Sequence, residues 1–484
     1  MAEDEREHIH PSGPIPLAGR GLYLLNSNNL LINFTLDIAY VVPSRLDISD
    51  LRVSLARTLA SFPLFCGRLV RKPEWAISLA PLRPVPLTIK YELEPGWNPT
   101  SANAVVRPRP GPLVDKINPL ALMNSDAPDL FKATIAQTDN ATLVGISCSH
   151  MVADLFIVLK FLRTWSQHFT NPLDPVTEPR PVYLDAVATT LPAPSDQSRL
   201  EYIRSKLPPL LFHTFPLDDI PASIFAPFPI RRIDLRFSSA QVSTLQRALL
   251  RYQSGVKIGD STNVAKLTGQ DALSAFVVAA LNASYDTPAN QISNVVNCRG
   301  INPAVLPHDA VGNGLAYAVT DDISLNDGDP RTTVLAYARA IRRSLEEVRH
   351  PDYVEDYLAL AGAEWLRAAK VNQGHCILET PGHVLINSSY RHDWASAHFG
   401  FPGQASWQHP DTVPTDNYVM FFPSNPVRTP HGEWRTDDGA CEATFNVKAG
   451  REDHLEAAVA QIWAAIVGET TNPILIVSDP HGYT

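Results

Sequence analysis

The chain has 484 residues, of which 45% are hydrophobic and 19% are charged, and its formal net charge is −10 at pH 7. This length allows two or three domains with sizeable cores, and the composition is typical of a soluble globular protein. The acidic balance argues against nucleic acid or an anionic membrane surface as the main partner. No apolar run reaches the roughly 18 residues that a membrane-spanning helix needs, so we expect no membrane partner.

Five cysteines are scattered singly along the chain. They are Cys66, Cys148, Cys298, Cys376 and Cys441. An odd number without a C-x-x-C pair indicates neither a disulfide framework nor a zinc site, and it is typical of a reducing compartment. The first ten residues, MAEDEREHIH, lack the basic and apolar regions of a secretory signal. We therefore expect a cytoplasmic protein.

In the first half of the chain, apolar spacing predicts strands that lead to one histidine. Residues 1–16 show no periodicity, and we expect a loose tail there. Strict alternation over 31–42 predicts a strand with one buried face. Residues 131–136 and 142–147 read as two paired strands, and the second of them ends just before His150.

The second half begins after a stretch with a different composition. Residues 191–230 are rich in proline and lack steady periodicity, which predicts a long crossover between two domains. The predicted domains are therefore 17–190 and 231–484. Residues 232–237 read as the first strand of the second domain, and 452–467 as its last helix.

His150 and Asp154 form an H-x-x-x-D pair at the turn between a predicted buried strand and an apolar-faced helix. Imidazole titrates near neutral pH, and a fixed neighbour can hold its tautomer, so His150 is a candidate general base. The alternative is a histidine satisfied by local hydrogen bonds and an aspartate that caps the helix. The pair alone does not decide between them.

The sequence can be tested for three other chemistries: covalent catalysis, metal binding and phosphate binding. Cys148 would face the same side of its strand as His150, so a Cys–His pair could form a thioester intermediate with a substrate. The alternative is a small buried thiol with no role in catalysis. His8 and His10 are the only close histidine pair and lie in the predicted tail, so we expect no metal site. No glycine motif for nucleotide phosphates is present. A base without a protein nucleophile needs only oxyanion donors and two binding channels, and it fits the sequence best.

The sequence around His150 resembles that of the BAHD-type, CoA-dependent acyltransferases, a family with plant members and fungal relatives such as the trichothecene 3-O-acetyltransferases. Its HMVAD stretch is similar to the family's H-x-x-x-D motif. Four further stretches match family motifs in the right order: LRVSLARTLASFPLFCGRL (51–69), LTGQDALSAFVVAAL (267–281), VVNCRGINPAVLPHDAVGN (295–313) and NSSYRHDWASAHFGF (387–401).

The resemblance implies a chloramphenicol-acetyltransferase-like α/β architecture. Two domains with mixed sheets would be joined by the long crossover, with a channel between them. The segment 403–430 would return to the sheet of the first domain. The family is mostly monomeric, so a monomer is expected.

The resemblance also implies the chemistry. The protein would transfer an acyl group, in our expectation acetyl, from acyl-CoA to a hydroxyl or amine of a specialised metabolite. Acyl-CoA would be a cosubstrate, with no bound cofactor, and His150 would be the base. The implied roles of the other residues are as follows: Asp154 pairs with Arg299 as a brace, Asn313 fixes the loop near the channel, and Ser388 or Ser389, with Phe399 and Gly400, lies along the substrate or acyl-CoA channel.

Some positions depart from the family pattern. The usual D-F-G-W-G reads His398, Phe399, Gly400, Phe401 and Pro402, and Leu155 replaces the usual glycine after the motif aspartate. These changes leave open a CoA-independent cyclisation or isomerisation at the same histidine, because a shared fold does not guarantee a shared reaction. A binding or regulatory protein with a decayed site is the third hypothesis.

Overall fold

A computed structural model gives the fold of the chain. It describes residues 4–31, 34–71, 75–91, 114–118, 128–184, 191–217, 229–255, 266–325, 328–377, 380–408, 415–468 and 475–478. Within these ranges, strands and helices alternate in two α/β units, as expected from the sequence.

The first unit is built on a six-stranded mixed sheet, which two helices cover. Its strands, from one edge to the other, are β1 (Glu5–Ile9), β6 (Val85–Lys90), β7 (Phe131–Gln137), β8 (Thr142–Ser149), β3 (Thr35–Val42) and β15 (Ser406–Gln408). A small sheet of β2 (Leu22–Leu24), β5 (Ala76–Ser78) and β4 (Arg68–Val70) lies beside it. The helices are α1 (Ile48–Ser61) and α2 (Leu155–Thr170).

Strand β3 is more deeply buried than its alternation predicts. Its residues from Asp37 to Val42 are all buried. Ile38 and Tyr40 pack in the main core, whereas Ala39 and Val41 pack on the opposite face in a second cluster that includes Val114. The prediction of one buried face is therefore wrong, because a chain segment distant in sequence covers the other face.

The prediction of a loose tail over 1–16 is also wrong in part. Glu5–Ile9 forms β1, which pairs antiparallel with β6 at the edge of the sheet. The Arg52 side chain on α1 forms ion pairs with Glu5 and Glu7, and Tyr91 donates a hydrogen bond to Glu5. Partners from β6 and α1 order this strand, so its own sequence carries little signal.

The second unit is a seven-stranded mixed sheet. In order its strands are β12 (Leu315–Val319), β11 (Gln291–Asn297), β14 (His383–Ser388), β16 (Tyr418–Pro423), β19 (Cys441–Lys448), β10 (Ile230–Phe237) and β20 (Leu475–Ser478). The helices of this half are α4 (Ser239–Gly255), α5 (Gly269–Leu281), α6 (Pro330–Glu347), α7 (Pro351–Lys370) and α8 (Glu452–Val467). A second core lies between this sheet and the apolar faces of α4, α5, α6 and α8. Of the helices described, none is both long and apolar enough to cross a membrane.

The predicted crossover contains regular structure. It includes α3 (Gln197–Ser205) and β9 (Thr214–Pro216), which pairs with β13 (Gln373–His375). Arg199 forms a 2.7 Å ion pair with Asp356 on α7, which holds α3 against the second unit. Residues 218–228 of the predicted crossover lie outside the described residues.

The predicted return of 403–430 to the first sheet is correct only for its first part. Ser406–Gln408 pairs with β3, whereas Tyr418–Pro423 lies in the second sheet between β14 and β19. The short strands β17 (Val427–Arg428) and β18 (Trp434–Arg435) pair with each other. Three residues of this segment thus belong to the first sheet, and the next strand along the chain belongs to the second sheet.

Candidate active site

His150 lies where β8 ends and the turn into α2 begins. Its backbone N–H donates to the Phe34 carbonyl at 3.0 Å, which ties the turn to the start of β3. Asp154 is the N-cap of α2, since one carboxylate oxygen accepts from the Ile157 N–H at 3.3 Å. Capping satisfies one of the free N–H groups at the helix start. Asp154 therefore caps the helix, as the alternative interpretation of the sequence proposes, and this role uses one carboxylate oxygen.

The other oxygen of Asp154 joins the two units. Oδ2 accepts from Arg299 Nη1 at 2.7 Å and from the Gly314 N–H at 2.9 Å. The side chains of Asp154 and Arg299 are each 1% exposed. Burial raises the pKa of Asp154, but the Arg299 charge and these hydrogen bonds outweigh burial and leave the pKa below its usual value. The carboxylate is therefore charged and joins the turn after β8 to the second unit as a brace.

Arg299 uses its remaining donors on the loop that follows β11. Nε donates to the Ala310 carbonyl at 2.8 Å and Nη2 to the Gly312 carbonyl at 2.6 Å. A Cβ at Gly314 would lie 2.5 Å from Arg299 Nη1, so only glycine fits beside the guanidinium. Asp154, Arg299 and the loop from Ala310 to Gly314 therefore form one buried hydrogen-bond network.

Asn313 holds the imidazole of His150. Its Nδ2 donates to the His150 carbonyl at 2.8 Å and to the Asn28 carbonyl at 3.0 Å. Its Oδ1 lies 2.8 Å from His150 Nδ1. Because two carbonyls determine which end of the amide is the NH2 group, Oδ1 must accept, and Nδ1 must carry a proton. In the neutral ring the lone pair is then on Nε2.

A turn near the N-terminus supports Asn313. Asn29 Oδ1 accepts from the Asn313 N–H at 2.7 Å. Gly312 has φ +100°, and a Cβ there would lie 2.5 Å from the same oxygen. This backbone conformation and close contact both require glycine. Asn28 and Asn29 were missed in the sequence, where the run NSNN gave no periodic signal.

The environment of His150 favours a neutral imidazole. Burial lowers its pKa, and the Arg299 charge acts in the same direction, while Asp154, Asn313 and the His150 carbonyl raise it; the pKa remains below the ordinary value. At neutral pH this shift favours the unprotonated imidazole, which is the form that a general base requires.

Partly exposed residues appear on both sides of the seam between the units, in strands that are otherwise buried. On the first unit they are Phe34, Leu36, His150, Leu155 and Phe156; on the second they are Val295, Asn297, Leu315, Tyr317 and Asn387. Asn297 Oδ1 accepts from Arg299 Nη1 at 3.2 Å, which places this patch next to the brace. The partial exposure indicates an opening at the seam beside His150.

The two candidate serines at the end of β14 differ. Ser389 is buried, and its hydroxyl donates to the Phe421 carbonyl at 3.0 Å. Ser388 is half-buried, and its hydroxyl has no hydrogen bond among the described residues, although strand alternation turns it to the side opposite Asn387. Asn387, which the sequence reasoning did not single out, faces the seam.

Phe399 and Gly400 lie away from this opening. The Phe399 side chain is 0% exposed and packs against Trp165 and Phe169 of α2. Gly400 is exposed and has φ +91°, next to Thr170. The prediction that Phe399 lines an open channel is wrong, because its ring anchors the loop to α2. The His398 ring accepts from the Gly400 N–H at 3.1 Å and so stabilises this turn.

Cys148 is a buried structural thiol. It is 0% exposed, and burial raises the pKa of its thiol well above the usual value. A thiolate is the reactive form of cysteine, so this environment does not suit a nucleophile. Among the described residues, no group of three or more histidine, cysteine, aspartate or glutamate side chains is arranged to hold a metal ion.

Comparison with known proteins gives matches in structure only. No protein-family model matches the sequence, and no curated protein matches it either. The crystal structure of vinorine synthase matches with a TM-score of 0.58 and 17% identity, over 95% of this chain and 98% of that chain. The TRI101 protein of F. sporotrichioides, complexed with coenzyme A and T-2, matches with a TM-score of 0.58 and 16% identity, over 90% of this chain and 97% of that chain.

A third solved structure extends this group. The cyclization-docking bidomain of the EpoB nonribosomal peptide synthetase from Sorangium cellulosum matches with a TM-score of 0.55 and 14% identity, over 95% of this chain and 88% of that chain. At these identities the likeness establishes the fold alone. The chain therefore has the two-unit α/β fold of vinorine synthase and TRI101, as the motif resemblance predicts.

Proposed function

We propose that this protein is an acyl-CoA-dependent O- or N-acyltransferase with His150 as the general base. One observation carries the proposal: Asn313 holds His150 with Nδ1 protonated, which leaves the Nε2 lone pair for a substrate at the seam. The likeness to TRI101, whose structure holds coenzyme A and T-2, supports an acyl-CoA cosubstrate and a small-molecule acceptor.

The proposed reaction is a direct transfer. His150 Nε2 removes the proton of the acceptor hydroxyl or amine as its oxygen or nitrogen attacks the thioester carbonyl. The tetrahedral intermediate then collapses, the carbon–sulfur bond breaks, and the CoA thiolate takes the proton from His150. Backbone N–H groups are the proposed donors to the oxyanion. Asp154 and Arg299 hold the turn and stay outside the proton path.

The finer assignments are also proposals. We propose acetyl as the acyl group, a specialised metabolite as the acceptor, and a cytoplasmic monomer that works without a bound cofactor. The opening at the seam would be the channel through which acyl-CoA and acceptor reach His150 from different sides.

The decisive experiment measures thiol release from a panel of acyl-CoAs, with and without a metabolite extract, and identifies products by mass spectrometry. We expect extract-dependent thiol release and a product heavier by the acyl group, with loss of about 10³-fold or more in His150→Ala. His431→Ala, a change at an exposed histidine, is the matched control and should behave as wild type.

A CoA-independent reaction is the second candidate, because the fold of this chain also matches the EpoB cyclization-docking bidomain. It would appear in the same experiment as His150-dependent conversion of a metabolite to an isomer or a dehydrated product without thiol release. That result would rule out acyl transfer for the tested donors. Conversion that persists in His150→Ala would contradict both candidates.

A further inference from the structure

One face of the second sheet lies against the first unit, and it carries both apolar and polar side chains. Leu385, Tyr418 and Met420 lie on this face within the core shared with the first unit. Ile386 and Val419 alternate with them and pack on the other side, against the helices. Alternation places Asn387 on the face with Leu385.

Asn387 lies near the brace of the proposed active site. In the parallel register, Asn294 pairs with Ile386, so Asn387 lies beside Val295. Asn297, two residues further along the same strand and face, contacts Arg299. Two residues along a strand span about 7 Å. Asn387 is half-buried, as is Val295 beside it, whereas Leu385 on the same face is buried, so Asn387 lies at the more open end of the seam.

Asn387 and Tyr418 bond to each other and retain spare capacity. The amide Nδ2 lies 2.8 Å from the Tyr418 hydroxyl oxygen and donates to it. The phenol then keeps its own proton to donate, and Asn387 Oδ1 has no hydrogen bond among the described residues. If the amide were turned round, the spare groups would be an N–H and a phenol lone pair. Either orientation leaves one donor and one acceptor.

The pair is neutral. Burial raises the pKa of Tyr418 to about 12, so the phenol keeps its proton at physiological pH. Leu385 and Met420 supply apolar surface beside it. A neutral donor and acceptor beside this apolar surface match an uncharged polar group and disfavour a charged one, whose desolvation they cannot offset.

We propose that Asn387 and Tyr418 form a specificity site that binds an uncharged oxygen-bearing group of a substrate. Two sources share this chemistry: a keto or hydroxyl group of the acceptor, apart from the group acylated, and a pantetheine amide of acyl-CoA. The inference rests on the proposed acyl transfer. It assigns the acceptor to neutral, largely apolar molecules if the first source is correct.

The test uses Tyr418→Phe and Asn387→Leu, with Tyr390→Phe as the matched control. Tyr390 is also a buried tyrosine, and its hydroxyl donates to the Gly439 carbonyl away from the seam. Calorimetry measures the binding of acetyl-CoA and of three neutral probes: cyclohexanol, trans-1,4-cyclohexanediol and 4-hydroxycyclohexanone. Binding needs no turnover, so thiol release measured in parallel reports on acyl transfer separately.

We expect wild type to prefer the two probes with a second oxygen over cyclohexanol, whose single hydroxyl would lie at His150, by about tenfold, the effect of one good hydrogen bond. Each variant should abolish this preference and leave cyclohexanol binding unchanged. If the pantetheine amide is the ligand, the variants instead weaken acetyl-CoA binding about tenfold. The inference would be overturned if both variants bound all four ligands with the same affinity as Tyr390→Phe. This outcome does not depend on whether thiol release is observed.

Discussion

At the scale of single residues, His150 depends on contacts that its own neighbourhood in sequence does not supply. Asn313 and Arg299 come from the second unit, more than 140 residues along the chain, and reach His150 and Asp154 through hydrogen bonds of 2.7–2.8 Å. The tautomer of His150 and the orientation of its turn are therefore set across the seam.

Asn313 should control the pH dependence of the reaction. Its Oδ1 raises the pKa of His150, so Asn313→Ala should lower that pKa further and shift the acid limb of the kcat/KM profile to lower pH. The rate should fall about 10- to 100-fold because the ring loses its fixed tautomer. Asn313→Asp puts a negative charge beside Nδ1 and should shift the limb to higher pH. If the acid limb of the kcat/KM profile has the same apparent pKa in wild type and both variants, the hydrogen bond between Asn313 Oδ1 and His150 Nδ1 is contradicted.

Arg299 should matter for stability above all. Arg299→Gln leaves the buried Asp154 carboxylate without its cation, which should lower the free energy of unfolding by about 3 kcal/mol at pH 7. The folded state depresses the pKa of Asp154 below 3.8, so this stability is present above pH 3.8 and is lost as the pH falls through the lower, folded value.

Urea unfolding at pH 7 and near pH 3 measures the effect. The difference in the free energy of unfolding between wild type and Arg299→Gln should be smaller near pH 3 than at pH 7. Arg331→Gln removes an exposed pair with Asp329 and is the matched control, with an expected change below about 1 kcal/mol. A constant difference across pH would show that the lost stability does not come from the ion pair.

At the scale of elements, β15 shows how a three-residue strand is held at a sheet edge. One side pairs with β3. On the other side the Asn425 side chain takes the place of a strand: its Oδ1 accepts from the Trp407 N–H and its Nδ2 donates to the Trp407 carbonyl, both at 2.8 Å. A side chain from the second unit thus completes the edge of the first sheet.

Asn425→Leu should loosen this strand. It leaves a buried N–H and a buried carbonyl of Trp407 without partners, which should cost about 2 kcal/mol of unfolding free energy. Hydrogen exchange at the Trp407 amide should accelerate markedly, while the β3–β8 amides keep their protection. Asn140→Leu, at the exposed turn between β7 and β8, is the control. Unchanged exchange at Trp407 would contradict the bracing role of Asn425.

At the scale of the whole molecule, buried charges join the two units along one face of α2. Lys160 has a side chain that is 1% exposed and an ion pair of 2.5 Å with Asp309 of the second unit. Arg163 pairs with Glu178 and also donates to the Asp393 carbonyl. Breaking a buried pair by removing one partner is costly, because the other charge stays buried.

The units should therefore unfold together. Asp309→Asn leaves Lys160 buried without a counter-charge and should lower the unfolding free energy by about 3 kcal/mol. The double variant Lys160→Met/Asp309→Asn should recover most of the lost unfolding free energy, because no charge then remains buried. Urea unfolding of the four proteins of this double-mutant cycle gives the coupling directly. Additive losses would show that the pair does not join the units.

The sequence by itself determined the local order. Apolar spacing predicted the β7–β8 pair, the start of the second unit and the final helix, and the spaced motifs led to His150, Asp154, Arg299 and Asn313. These features rest on contacts between residues near in sequence, or on side chains whose chemistry stands out along the chain.

Tertiary structure alone decided the rest. It ordered β1, buried both faces of β3, split the 403–430 segment between two sheets and placed Phe399 in a core. It also brought Asn28, Asn29 and Asn387 to the site, although nothing in their local pattern marks them. The physical reason is that burial, pKa and tautomer depend on partners that are distant in sequence, and only the packing of the two units supplies them.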